Sequence, residues 1–105
     1  MEFMAGMREL NLNGSSWKNS DDFYDAFFKA IGAPEWHGRN FNALNDSIAH
    51  GNINEIEVPY RIVIQNIFSP NADLRRLLRD FADFIRELAG RGCPVEIQID
   101  ASAIR

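Results

Sequence analysis

The sequence predicts a small, three-layer-like α/β domain in which helices cover a short parallel sheet of three strands. Three short runs have the composition of strands, and amphipathic stretches of helical length separate them. Strands that alternate with helices favour parallel pairing, because each helix returns the chain to the same end of the sheet. The chain has 105 residues, of which 46% are apolar, enough for one core. Because no repeat or linker interrupts it, we predict a single domain over residues 1–105.

Each predicted strand has a pattern that indicates its burial. In the first, residues 8–13, Leu10 and Leu12 alternate with polar neighbours, and Asn13-Gly14 ends the run. The second, residues 60–65, reads YRIVIQ, which is β-branched and apolar enough for burial on both faces. The third, residues 95–99, alternates as VEIQI. These three runs supply the strands of the predicted sheet.

The first helix is predicted to begin at its N-cap, Ser20, with two aspartates in the first turn, where the helix dipole favours acidic side chains. Gly32 stands where a left-handed residue closes a helix, and Pro34 excludes continuation. Apolar residues recur between these ends at helical spacing: Phe23, Ala26, Phe27, Ala30 and Ile31.

A second helix is predicted from its cap, Asn40, to Gly51, which stops it. Spacing at i, i+3 and i+7 directs three residues to the core: Phe41, Leu44 and Ile48. The opposite side then carries polar or small residues: Asn42, Asn45, Asp46 and Ala49.

The third helix starts at Asn71 or Asp73 and ends at Gly90 and Gly92. A wide apolar stripe predicts that it packs on the core: Leu74, Leu77, Leu78, Phe81, Phe84, Ile85 and Leu88. A row at i, i+3 and i+7, typical of a solvated helix face, lies opposite most of this stripe: Asp80, Asp83 and Glu87.

Composition and charge exclude several classes of function. The formal net charge is −4, whereas a general nucleic-acid binder needs a basic face. The same charge favours a basic protein partner, because opposite charges speed encounter. No run approaches the roughly 20 apolar residues of a transmembrane helix, so we expect no membrane association.

Cys93 is the only cysteine, so neither an intramolecular disulfide nor a cysteine-rich zinc site is possible. A free thiol fits a reducing compartment, and the first residues lack a signal-peptide pattern. We therefore expect a cytoplasmic protein. Residues 1–6 are interpreted as a disordered or added leader ahead of a natural start at Met7.

No catalytic or metal-binding group is predicted. His37 and His50 are the only histidines, and neither belongs to a convergent set of nucleophile, base and orienting residue. Cys93 lies between Gly92 and Pro94 and is interpreted as a small buried hydrophobe. We expect no enzyme activity, no cofactor and no metal.

The most informative stretch is residues 34–48, PEWHGRNFNALNDSI. A lone helical aspartate such as Asp46 is usually an ordinary surface residue. Here, Trp36 and His37 precede its helix, and two asparagines share its face. Because aromatic anchors beside a charge are typical of binding hot spots, the stretch predicts a protein-binding surface.

This stretch resembles the barstars, which are small cytoplasmic inhibitors of barnase-type ribonucleases. The family's region runs Pro-Glu-Tyr-Tyr-Gly, a variable residue, Asn, an apolar residue, Asp-Ala-Leu, a variable residue and Asp. This chain has PEWHGRNFNALND at residues 34–46. The similarity continues at Arg86-Glu87 and Gly92-Cys93, and the order of elements agrees over residues 7–99.

The resemblance implies inhibition by occlusion of the ribonuclease active site with the second helix and the loop before it. Asp46 would replace an RNA phosphate, and Glu87 would contact a further basic residue of the enzyme. Trp36 and His37, matching the family's tyrosine pair, would pack on the enzyme, and Gly38 would let the loop approach. The implied partner-binding residues are Trp36, His37, Gly38, Asn40, Asn42, Asn45, Asp46 and Glu87.

Three positions depart from the family's pattern. Asn42 replaces its first helical aspartate, Asn45 replaces a tryptophan, and Arg39 reverses the charge of a common glutamate. These changes favour a partner with different charge placement, either another ribonuclease or another toxin. One alternative from a different class stays open, in which a small regulatory domain binds a non-nuclease protein through the same face. In both cases we expect a monomer when free.

Overall fold

The computed structural model describes residues 7–100. In chain order it contains β1 Arg8–Asn13, α1 Ser20–Ile31, α2 Phe41–Leu44 with a π-helical continuation Asn45–His50, β2 Tyr60–Gln65, α3 Ala72–Gly90 and β3 Val95–Ile99. The three predicted strands are confirmed. The leader predicted at residues 1–6 lies outside the described residues, and the assignment of residues 1–105 to a single domain stays a prediction.

The sheet has the order β1-β2-β3, and both strand pairs are parallel. Leu10 aligns with Ile62, and Ile62 aligns with Ile97, so these three side chains lie on one face of the sheet. Residues two positions away along each strand share that face, because side chains alternate between the faces. The apolar face of the sheet and the helices above it enclose the buried core. The predicted α/β class, with a three-stranded parallel sheet and covering helices, is confirmed.

The opposite face of the sheet is mainly polar. Arg61 of β2 lies 3.1 Å from Glu9 of β1 and 3.0 Å from Glu96 of β3, so one guanidinium joins all three strands. The hydrogen bond to Glu96 raises the pKa of Arg61. Val63 shares this face and is only 5% exposed, so β2 is buried on both faces, as its composition predicts.

Phe81 of α3 is the central contact between the helices. Its ring centroid lies 4.8 Å from that of Phe23, 5.3 Å from that of Phe27 and 6.3 Å from that of Phe41. Such aromatic pairs stabilise a core by about 0.5–1.5 kcal/mol beyond the burial of their area. A single α3 side chain therefore touches both α1 and α2.

The N-terminus of α1 corrects the predicted cap by one residue. The Oδ1 atom of Asn19, not the hydroxyl of Ser20, accepts the Asp22 N–H at 3.0 Å. Asparagine and serine are equally good caps, so adjacent candidates cannot be separated by residue type. The predicted C-terminus is confirmed: Gly32 has a φ of 66°, a left-handed conformation that glycine adopts without strain.

The ends of α3 settle an alternative that the sequence leaves open. Asn71, rather than Asp73, is the N-cap, because its Oδ1 accepts the Leu74 N–H at 2.8 Å. Gly90 is the last helical residue, as predicted, and Gly92 follows with a φ of 97°.

The second helix is not the continuous α-helix that the sequence predicts. Only four residues are α-helical, and the next six wind as a π-helix, in which the Gly51 N–H donates to Asp46 O at 3.2 Å. Leu44 and Ile48 are buried as predicted, whereas Phe41 is only partly buried. π-Helical turns are rare and often lie at functional sites.

No helix within residues 7–100 is both long and apolar enough to cross a membrane.

Replacement of Phe81 by alanine should lower the free energy of unfolding by about 3–5 kcal/mol, because it leaves a cavity among three helices. Urea denaturation followed by circular dichroism measures this loss. The matched control is Phe68→Ala, whose ring is 74% exposed and which should change stability by less than about 0.5 kcal/mol. Equal losses in the two variants would show that Phe81 is not a central contact.

Candidate functional site

The loop between α1 and α2 exposes one aromatic side chain and buries its neighbour. Trp36 is 74% exposed, whereas His37 is 7% exposed. The backbone N–H of His37 donates to Pro34 O at 3.0 Å and closes a turn over residues 34–37. The indole of Trp36 is therefore available to a partner.

The imidazole of His37 is hydrogen-bonded at both ring nitrogens. Nδ1 lies 2.9 Å from Gly38 O, and Nε2 lies 2.8 Å from Ser47 Oγ. The ring also packs on Phe28, with 4.6 Å between the centroids. The resemblance places His37 on the partner-facing surface. In the structure the ring is largely buried, and both of its nitrogens contact groups within the chain. The role of His37 in binding a partner stays a prediction.

Gly38 and Asn40 both act within the loop. A Cβ atom at Gly38 would lie 3.2 Å from Ala43 Cβ and 3.0 Å from Asn40 Nδ2, which is closer than ordinary contact. The glycine therefore lets the loop approach its own helix. Asn40 Oδ1 accepts the Ala43 N–H at 2.8 Å, so the predicted cap of the second helix is confirmed.

Arg39 contacts α1. Its guanidinium pairs with Asp21 at 3.3 Å and with Asp25, and it lies over the Phe28 ring, 5.7 Å from the centroid. The hydrogen bond to Asp25 raises the pKa of Arg39. The positive charge that departs from the family's pattern is therefore paired with acids of α1.

The polar side of the second helix lies where the sequence predicts it. Asn42 and Asp46 are exposed, and Asn45 is partly exposed. Asp46 and Trp36 line one concavity of about 70 Å³, together with His37, Gly38, Ala43 and Ile53. Within residues 7–100, the Asp46 carboxylate has no ion pair or side-chain hydrogen bond. An unpaired carboxylate thus lies beside an exposed indole.

A groove of about 940 Å³ between α2 and α3 extends this face. Its lining consists of Phe41, Asn42, Asn45, Asp80, Asp83, Phe84, Arg86, Glu87 and Arg91. Glu87 Oε2 lies 3.1 Å from Arg91 Nη2, and Asp83 Oδ1 lies 3.9 Å from Arg86 Nη1. Three carboxylates and two guanidiniums give the lining a net negative charge.

The structure therefore divides the implied partner-binding residues among three places. Trp36, His37, Gly38 and Asp46 line the concavity, and Asn42, Asn45 and Glu87 line the groove. His37 also holds the loop through its hydrogen bond to Ser47, and Asn40 caps the second helix.

Three further residues of this region lie outside the predicted partner-binding set. Asp80 and Asp83 are exposed, as the interpretation of a solvated face predicts, and they also share the groove with Glu87. The sequence signal for this grouping is their i, i+3 and i+7 spacing with Glu87. Ser47 had no signal, because its role depends on a hydrogen bond to a residue ten positions earlier.

Elsewhere in residues 7–100, no three His, Cys, Asp or Glu side chains are grouped as metal ligands would be. His50 is exposed. Cys93 is partly buried rather than fully buried, and desolvation raises the pKa of its thiol. A raised pKa lowers the fraction of thiolate, the form that acts as a nucleophile.

An exposed indole, an unpaired carboxylate and an adjacent acidic groove form a surface suited to a basic protein. The model of the family described as barstar, the barnase inhibitor, matches residues 7–100. The chain belongs to the barstar family. Membership confirms the resemblance at residues 34–46 and implies the role of a ribonuclease inhibitor, since this is a family of inhibitors rather than enzymes. No curated protein matches the chain.

Because the Asn40 side chain caps α2, Asn40→Ala should lower the free energy of unfolding by about 1 kcal/mol. Asn40→Asp retains an oxygen for the Ala43 N–H and should cost much less. Urea denaturation of both variants measures the difference. Equal losses would indicate that the Asn40 amide stabilises the fold through some contact other than the cap.

Proposed function

We propose that the chain inhibits a ribonuclease by covering its active site with α2, the π-helical segment and the loop before them. The observation that carries this proposal is the exposed, unpaired Asp46 carboxylate beside the exposed Trp36. A site that binds RNA phosphate must present cationic hydrogen-bond donors. A carboxylate placed in advance can accept from those donors in the manner of a phosphate.

The other residues of the face have separate proposed roles. Trp36 packs on the enzyme surface around its cleft, as buried aromatic anchors do in interfaces. In the free chain Glu87 pairs with Arg91, and on binding it pairs instead with a basic residue of the partner. Asn42 and Asn45 supply amide groups at the rim between these two anchors. Gly38 keeps the loop close to the helix, so that Trp36 and Asp46 stay in one concavity.

The charge of the chain supports a basic partner. The net charge is −4, and the groove beside Asp46 carries three carboxylates against two guanidiniums. Complementary charge raises association rates and penalises acidic competitors. We therefore expect fast association that slows as salt concentration rises.

Three further properties belong to this proposal. The chain itself does not cleave RNA, because inhibition requires only occupation of the enzyme's site. It is a monomer when free, since the face binds the enzyme. It acts in the cytoplasm, where the free Cys93 thiol stays reduced.

Asp46→Asn tests the role of the carboxylate, because it removes the charge and keeps the shape. In barnase complexes of this family, truncation of one partner of a buried charge pair costs on the order of 2–5 kcal/mol, so the magnitude is inherited from the family. Inhibition should weaken by about thirty-fold to a few thousand-fold, mainly through faster dissociation. Titration of barnase activity on RNA measures the loss.

The matched control is Asp73→Asn, the same change at an exposed acid in the first turn of α3. It should leave inhibition unchanged, and both variants should keep the wild-type fold by circular dichroism. Equal losses of inhibition would contradict the role of Asp46. A wild-type chain that inhibits neither barnase nor other ribonucleases would favour a regulatory domain that binds another protein.

Asn42→Asp restores the charge that the family carries at this position. The added carboxylate should strengthen binding to barnase, because a basic cleft faces this part of the helix in the proposed complex. The expected gain is about ten-fold, which corresponds to roughly 1.4 kcal/mol. Surface plasmon resonance at two salt concentrations measures it. Weaker binding would show that the partner-facing groove is already saturated with negative charge from Asp80 and Asp83.

A further inference from the structure

The loop of residues 34–40 is joined by side chains to the helices on both sides of it. On one side, His37 Nε2 lies 2.8 Å from Ser47 Oγ in the π-helical segment. Since Gly38 O can only accept, the His37 Nδ1 that lies 2.9 Å from it carries a proton. In the neutral imidazole, Nε2 then accepts a hydrogen bond from the Ser47 hydroxyl, whose alternative acceptor, Leu44 O, lies farther away at 3.4 Å.

On the other side, Arg39 joins the loop to α1. Its guanidinium pairs with the carboxylates of Asp21 and Asp25, which lie one helical turn apart. The planar guanidinium of arginine can donate several hydrogen bonds to carboxylates at once, and the ammonium group of lysine cannot reproduce this geometry.

Phe28 of α1 connects the two attachments. The ring centroid of Phe28 is 4.6 Å from that of His37 and 5.7 Å from the Arg39 Cζ atom. Two residues of the loop therefore contact one aromatic ring, and Gly38 lies between them in the sequence. If either His37 or Arg39 is loosened, the Phe28 ring loses one of its contacts, and the remaining residue then packs on a less constrained ring.

The attachments lie immediately beside the residue that the loop exposes. Trp36 directly precedes His37 and shares a concavity with Asp46, which directly precedes Ser47. The His37–Ser47 hydrogen bond therefore sets the distance between the backbone of Trp36 and the backbone of Asp46. Ordering of a free loop on binding would oppose association through lost conformational entropy, and a loop ordered in advance avoids this loss.

We propose that His37 and Arg39 are positioning residues, which act through Ser47 and Asp25 to hold the loop in the conformation that places Trp36 and Asp46 on one face. This inference rests on the proposed function for its consequence in binding. The ordering of the loop is a property of the free chain and is tested separately.

The experiment compares Ser47→Ala, Asp25→Asn and the double variant with the control Ser16→Ala, which removes a hydroxyl from an exposed turn. Hydrogen exchange of the free chain reports loop order, and the His37 amide, which donates to Pro34 O, is the central probe. Side-chain ¹⁵N NMR should show the His37 proton on Nδ1. Thermal unfolding establishes that each variant is folded, and the exposed Asp25 variant tests the loop even if Ser47→Ala fails to fold.

Exchange of the His37 amide should be faster by about two- to ten-fold in Ser47→Ala, which loses a hydrogen bond, and by about two- to five-fold in Asp25→Asn, which loses an exposed ion pair, whereas Ser16→Ala should not change it. Inhibition of barnase should weaken over the same ranges, chiefly by slower association. Because both attachments share Phe28, the double variant should lose less than the product of the single losses.

Unchanged exchange in both single variants would overturn the proposal. Faster exchange with unchanged inhibition would equally overturn the positioning role. A wild-type chain that inhibits no ribonuclease would contradict the proposed function alone, because the exchange data on the free chain still decide whether His37 and Arg39 order the loop.

Discussion

The parallel pairing of three strands is the constraint on which the rest of this molecule depends. Parallel neighbours cannot be joined by tight turns, so each connection must cross the sheet and return to the same end. The connection from β1 to β2 contains α1 and α2, and the connection from β2 to β3 contains α3. Both pack on the apolar face, where Phe81 contacts the first two helices. The groove between α2 and α3 is a direct consequence of this arrangement.

Those parts of the fold that depend on local pattern could be predicted from the sequence. The alternation of Leu10 and Leu12 and the apolar run of β2 identified the strands, and Gly32 identified the end of α1. The choice of Asn19 over Ser20 as a cap depends on a side-chain conformation that neighbouring residues of similar type do not reveal. The π-helical winding and the inward orientation of His37 depend on tertiary contacts, and periodicity contains no information about these.

Two charges of the face differ from the family's pattern. Asn42 lacks the family's carboxylate, yet Asp80 and Asp83 of α3 lie across the same groove. Arg39 brings a positive charge, yet Asp21 and Asp25 of α1 pair with it. The groove therefore keeps one carboxylate in excess, and all of its charged side chains come from α3 and the residue that follows it. The placement of these charges determines which basic residues of a partner are matched best.

The proposed inhibition requires this face to occupy the position of RNA phosphate in a ribonuclease. The most direct measurement is the affinity of the chain for barnase at increasing concentrations of a mononucleotide that binds the active site. If the chain and the nucleotide exclude each other, the apparent Kd rises in proportion to nucleotide concentration once the site is saturated. An apparent Kd that stays constant, with a ternary complex of enzyme, nucleotide and chain, would show that the chain does not occupy the active site.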